Sequence, residues 1–121
     1  MRVKAAPFGY GSAMASLSTH VLDLARGLPA AGVRVELASL PGGEPAGQGV
    51  TGPDGRIAEL ATGLGPGAYQ LSAHVGDYFR AAGSEPFVTE LLVRFQVTDP
   101  GRHHHVPVLA TPFAASTYLG S

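Results

Sequence analysis

Glycine and proline punctuate this chain so densely that it can hold only short elements. Its 121 residues include 17 glycines and 10 prolines, yet 45% are hydrophobic, too large a share for a disordered chain. Between the breaks, apolar residues recur at every second position, the period of a half-buried strand. Leu17, Thr19 and Val21 share one face of a first strand, with Ser18, His20 and Leu22 on the other. After the turn Pro29-Ala30-Ala31-Gly32, Val33, Val35 and Leu37 alternate with Arg34, Glu36 and Ala38. Pro41 to Gly49 reads as a loop between two strands, and Asp54-Gly55 as a turn that delivers Arg56 into the apolar stretch Ile57 to Leu60. Gly65-Pro66-Gly67 precedes a strand with Tyr69, Leu71 and Ala73 on one face. Pro86 leads into Phe87 to Val97, and two runs, Val106 to Ala110 and Ala114 to Leu119, flank a Thr111-Pro112 turn. Only Gly76 to Gly83 reads as a helix, about two turns long. The pattern predicts an all-β fold, an antiparallel β-sandwich of seven or eight strands with one short helix. An α/β fold would need repeated helices of about 10–15 residues, which the punctuation forbids.

The length suits one domain, expected over residues 14–121. Residues 1–13 read as a disordered tail or a misassigned start, with Met14 standing just ahead of the first periodic segment. Arg2 and Lys4 are followed by Pro7, Gly9 and Gly11 rather than by the apolar run of about 7–15 residues that a signal peptide carries. The chain has no cysteine, which removes disulfides and thiolate chemistry. A net charge of -1 without a basic run gives nucleic-acid binding no electrostatic support. No segment approaches the roughly 18 apolar residues of a membrane span. With neither a signal peptide nor a Ser-Lys-Leu ending, the expected location is cytoplasmic.

Residues able to carry chemistry are few. There are 5 histidines, His20, His74, His103, His104 and His105. On a strand, His103 and His105 share a face and His104 takes the other. A lone His-x-His is a weak metal signal, because a zinc site needs three or four ligands and no nearby Asp, Glu or Cys completes the set. Neither a metal nor another cofactor is expected. The Thr111-Pro112 turn would bring His103 or His105 back beside the end of the chain, since a short connection makes antiparallel neighbours. His20 interrupts a strand where an apolar residue or threonine would pack better. Arg56 is either a solvated surface residue or a planar donor fork for a carbonyl-rich or anionic ligand. Tyr118 and Ser121 are candidate rim residues, and spacing alone does not bring these groups together.

Six short motifs occur in order: Ser-Thr-His-Val-Leu-Asp at 18–23, Gly-x-Pro-Ala at 27–30, Thr-x-x-Asp-Gly-Arg at 51–56, Val-Thr-Asp-Pro at 97–100, His-x-His-Val-Pro-x-Leu from His103, and Ser-Thr-Tyr-x-Gly-Ser at 116–121. Together, from about Leu17 to Ser121, they resemble the 5-hydroxyisourate hydrolases, the transthyretin-related enzyme family of urate breakdown. The resemblance implies a transthyretin-like sandwich of two four-stranded sheets, with a short helix after the fifth strand. It implies a homotetramer, a dimer of dimers with active sites at the dimer–dimer interface along a central channel. It also implies His20, Arg56 and His105 as catalytic residues, and His20, Arg56, His103, Tyr118 and Ser121 as substrate-binding residues, with no metal. The small-molecule substrate would be 5-hydroxyisourate, opened by water at a cyclic amide carbonyl to 2-oxo-4-hydroxy-4-carboxy-5-ureidoimidazoline. Histidine suits that proton transfer at neutral pH, and arginine suits the charge developing on the carbonyl oxygen. Which histidine is the base stays open.

One residue departs from the family pattern. The usual ending is Tyr-Arg-Gly-Ser, and Leu119 stands at the arginine position. On a continuing strand Leu119 would project away from Tyr118, altering packing or a salt bridge and so the grip on substrate. A non-catalytic transthyretin-like small-molecule binding protein is the alternative reading, disfavoured by the presence of His20, Arg56 and His105. A metal-binding β-sandwich built on the histidine cluster is the third.

Overall fold

Nine strands and one helix build the described part of the chain, residues 14–121, in a computed structural model. Residues 1–13, expected to be a tail or a misassigned start, lie outside the described residues. The elements are β1 (Ala15–Asp23), β2 (Leu28–Pro29), β3 (Arg34–Ser39), β4 (Glu44–Val50), β5 (Arg56–Leu64), β6 (Gly67–Ala73), α1 (Val75–Ala81), β7 (Leu91–Val97), β8 (His103–Thr111) and β9 (Ala114–Thr117). One sheet runs β4-β3-β6-β7, with every pair antiparallel. In the other, β1 has β8 and then β9 on one side, with β5 and the two-residue β2 on its opposite side. The helix follows the fifth long strand, β6.

One pairing departs from the antiparallel rule. Strands β1 and β8 run parallel, in register from Ser16 opposite His103 to Asp23 opposite Ala110. Two strands this far apart in the chain can align this way because the whole of the second sheet lies between them in sequence. The alternation expected for β1 is present: Leu17, Thr19 and Val21 are buried against Val35, Leu37, Leu71, Ala73 and Val97 in the common core. Burying side chains of this kind contributes about 1.5–3 kcal/mol each.

The stretch Pro41 to Gly49 is not a loop. Residues 40–43 make the turn, and Glu44–Val50 forms β4, an edge strand on β3. An edge tolerates Pro45 because proline then has no ladder bond to withhold. The glycines have a packing reason too. A methyl at Gly47 would overlap the backbone carbonyl oxygen of Leu60, so β4 and β5 close one flank of the sandwich by near backbone contact. The opposite flank, between β7 and β9, stays open around a cavity of ≈ 220 Å³ lined by Val93, Phe95, His104, Val106, Tyr118 and Leu119, among others.

Two other segments are shorter than their patterns suggested. Strand β7 begins at Leu91 because Phe87 and Val88 instead give their N–H groups to the Pro112 carbonyl, at 2.7 and 3.1 Å. The helix starts at Val75 and presents Gly76 to the Thr89 backbone, where the Gly76 N–H donates to the Thr89 carbonyl at 2.9 Å. Its Tyr78 hydroxyl donates to Asp23 at 2.9 Å, and the Asp23 carboxylate, only 1% exposed, also accepts from the N–H groups of Ala25 and Arg26. Those three hydrogen bonds offset the cost of burying so polar a group. No helix among the described residues is long and apolar enough to cross a membrane.

The close flank can be tested by overpacking. Gly47→Ala should lower the unfolding free energy in urea by about 1–3 kcal/mol. Gly49→Ala should cost less, because its methyl would meet the movable end of Ile57 at 3.3 Å.

Candidate active site

Register decides which side chains meet. On the outer face of the first sheet, Ser16 pairs with His103 and Ser18 with His105 across β1 and β8, while His20 pairs with Arg56 across β1 and β5. Paired residues project to the same side, so these six groups share one face. Leu17, Thr19 and Val21 point the other way, together with His104, Val106 and Val108. The histidine run is therefore split by the pleat. His104 is 6% exposed, and its Nδ1 has no hydrogen-bond partner among the described residues.

The turn at 52–56 sets Arg56 beside His20. Gly55 adopts φ 77°, and a methyl there would come 2.5 Å from the Val21 carbonyl oxygen, so only glycine lets the turn press onto β1. The Val21 N–H donates to the Gly55 carbonyl at 2.8 Å. Asp54 accepts from the Arg56 N–H at 3.0 Å, and its carboxylate lies 3.9 Å from the Arg56 guanidinium. That ion pair is exposed and holds the arginine only weakly. His20 Nε2 lies 3.0 Å from the Asp54 carbonyl oxygen. A carbonyl can only accept, so Nε2 carries the proton and Nδ1 of neutral His20 is its basic atom.

His105 is the most constrained member. Its Nδ1 is 2.8 Å from Ser18 Oγ, and Gly120 bridges to it from beyond β9, donating its N–H to the His105 carbonyl at 2.7 Å. A methyl at Gly120 would fall 2.9 Å from His105 Cδ2, so the glycine makes room for the ring. Burial, and then the charges of Arg56, His20 and His103, push the His105 pKa below the ordinary histidine value. All three act against a second positive charge on a partly desolvated face.

The structure thus brings His20, Arg56, His103 and His105 onto one face. Tyr118 and Leu119 lie elsewhere. Strand β9 ends at Thr117, so the alternation expected to send them to opposite sides stops, and both line the cavity that His104 borders. Ser121 follows Gly120 at the exposed end. His74 is remote from this face, held between Glu36 at 2.9 Å and Glu90 at 3.1 Å, and its bond keeps the Glu36 carboxyl below its usual range. Among the described residues, no three His, Cys, Asp or Glu side chains are grouped to hold a metal ion. Ser16 and Ser18 are site neighbours that the sequence reading missed. The Ser-x-Ser spacing on β1 matches His-x-His on β8, but that match has meaning only once the register is known.

Chemically, the face offers imidazoles that can take or give a proton beside a guanidinium that can grip a planar, carbonyl-rich ring. The model of the HIUase/Transthyretin family matches residues 17–120. The chain is 47% identical over 114 residues to the 5-hydroxyisourate hydrolase of Deinococcus radiodurans, covering 87% of this chain and 95% of that protein. It is 39% identical over 117 residues to the enzyme of the same name from Pseudomonas aeruginosa, covering 89% and 93%. Among solved structures, Klebsiella pneumoniae 5-hydroxyisourate hydrolase superposes with a TM-score of 0.82 at 41% identity, covering 89% of this chain and 100% of that one. An (S)-allantoin synthase structure also superposes at 0.82 with 34% identity, covering 90% of this chain but 44% of its own. In matched span, in similarity to these relatives and in fold alike, the chain belongs to the HIUase/Transthyretin family.

Proposed function

We propose that this chain hydrolyses 5-hydroxyisourate to 2-oxo-4-hydroxy-4-carboxy-5-ureidoimidazoline. The observation that carries the reading is the single face on which His20, Arg56 and His105 stand in register. Water adds to a cyclic amide carbonyl carbon, a histidine accepts the proton it sheds, the ring C–N bond breaks, and the departing nitrogen takes up a proton. His20 offers Nδ1 for such transfers, and His105 offers Nε2, since Ser18 occupies its other nitrogen. Arg56 orients the ring and stabilises the charge that builds on the carbonyl oxygen. His103 borders the substrate, and Tyr118 and Ser121 contribute as rim residues in the assembled protein.

The reading includes a homotetramer, a dimer of dimers. Its support is that the face is a single open wall, with the Arg56 side chain 54% exposed. A reactive ring held against one wall keeps bulk water on its other side, whereas a second copy closes the site and strengthens every charge interaction within it. Edge strands β7 and β9 border the same open flank, so both sheets have an edge there on which another chain can pair. The carrier alternative has no such support, because its apolar ligands do not call for two imidazoles and a guanidinium on one face.

The direct test follows 5-hydroxyisourate, made from urate by urate oxidase, by its ultraviolet absorbance. This protein should speed the decay, and His105→Ala and Arg56→Ala should each slow it at least about tenfold. Near-normal turnover in both variants would sink the assignment. The pH profile carries a second expectation. Because His105 holds its proton less readily than an ordinary histidine, its basic form persists to lower pH, and the acid limb of kcat/KM should lie below about 6.5. In Arg56→Gln one cause of that depression is gone, so the limb of the residual activity should move upward.

A further inference from the structure

Four side chains on the outer face form one continuous line of hydrogen bonds. Ser16 Oγ lies 2.6 Å from His103 Nδ1, His103 Nε2 lies 2.8 Å from Ser18 Oγ, and Ser18 Oγ lies 2.8 Å from His105 Nδ1. We propose that Ser18 is a positioning residue that links His105 to His103 as a proton relay, carrying protons between the reacting face and solvent at Ser16. The catalytic part of this proposal rests on the hydrolase reading above.

Two arrangements let Ser18 both accept and donate along the line. A hydroxyl has one proton to give, and a neutral imidazole has one N–H and one lone pair. In the first, His105 Nδ1–H donates to Ser18, the Ser18 hydroxyl donates to His103 Nε2, and His103 Nδ1–H donates to Ser16. His105 Nε2 is then an unprotonated base. In the second, every bond is reversed: Ser16 donates to His103 Nδ1, His103 Nε2–H to Ser18, and Ser18 to His105 Nδ1. His105 Nε2 then carries the proton and is an acid. A third neutral arrangement, in which Ser18 accepts from both rings on its two lone pairs, satisfies the three bonds but takes the Ser18 proton off the line and conducts nothing.

Reversing the line interconverts the first two, and the protons balance. When His105 Nε2 takes a proton from the attacking water, its Nδ1 proton passes to Ser18. The Ser18 proton passes to His103 Nε2, the His103 Nδ1 proton to Ser16, and one proton leaves Ser16 for solvent. His105 ends neutral with Nε2–H, ready to protonate the departing ring nitrogen. As it does so, the line runs back and takes one proton from solvent. One imidazole thus serves as base and then acid without holding a positive charge beside Arg56.

The surroundings fit this use. Ser18, in the middle, is 9% exposed, while His103 is exposed and Ser16 at the outer end is half-buried. Water therefore does not compete for the central oxygen but can exchange protons at the end. The depressed affinity of His105 for a second proton favours its release along the line. The parallel register holds the geometry, since it places both serine–histidine pairs side by side over successive pleats.

The test compares Ser18→Ala with Ser18→Thr, which keeps the hydroxyl. Histidine ring nitrogen resonances report the His105 tautomers without reference to turnover, and kcat, KM and the pH profile report catalysis. Ser18→Ala should lower kcat about tenfold with little change in KM, shift the acid limb and change the His105 tautomer ratio. Ser18→Thr should restore most of each. Wild-type tautomers and pH profile in Ser18→Ala would overturn the relay, as would equal losses in both variants with unchanged tautomers. A wild-type protein inert toward 5-hydroxyisourate would overturn the function but not the hydrogen-bond line, which the resonances test on their own.

Discussion

The parallel pairing of β1 with β8 is the contact on which both the core and the site depend. Across it, Leu17, Thr19 and Val21 meet His104, Val106 and Val108 on the inner side, while Ser16 and Ser18 meet His103 and His105 on the outer side. A one-residue slip of β8 would bury His103 and His105 and expose Val106 and Val108, and one of β1 would bury the serines and expose Leu17 and Val21. The apolar burial that holds the sandwich together therefore also enforces the order of the outer face. The Thr19 hydroxyl adds a directional lock by donating to the Val106 carbonyl at 2.7 Å.

Around that pair, the two flanks of the sandwich are handled differently. At β4 and β5 the sheets converge until Gly47 has no room for a side chain, and the adjoining turn presses Gly55 against β1. This convergence places Arg56 within reach of the β1 face. At β7 and β9 the sheets diverge around a cavity, with Tyr118 and Leu119 exposed at its edge. The close flank positions Arg56, and the open flank leaves apolar groups exposed.

The outer face of the first sheet is assembled from weak acids, weak bases and one permanent cation, with no carboxylate among its members except Asp54, which is tied to the turn. Burial and the neighbouring cations favour the neutral form of His105, the state in which an imidazole can accept a proton. The composition of the face also explains why hydroxyls, not carboxylates, join the rings. A serine can turn its single proton toward either neighbour, whereas an ionised carboxylate can only accept and would hold the adjoining histidines in one tautomer.

Much of this was determined by the sequence itself. Period-2 runs separated by glycine and proline dictate short strands, because apolar residues two apart must face the same way and turns need those two residues. The ordered motifs from Ser18 to Ser121 carried the family, and the alternation within His103–His105 already separated His104 from its neighbours. What the pattern could not decide was partnership. Pro41 to Gly49 has the composition of a loop, and only its place at a sheet edge, against Leu60, makes most of it a strand. Ser16 and Ser18 look like ordinary surface positions until a strand some 85 residues away is laid beside them in parallel. Tyr118 and Leu119 alternate in the pattern, yet β9 ends at Thr117 and both turn to the cavity. Periodicity is a local property of the backbone, legible in any short stretch. Register, edge position and strand ending are set by what lies across the sheet, and tertiary structure alone decides them.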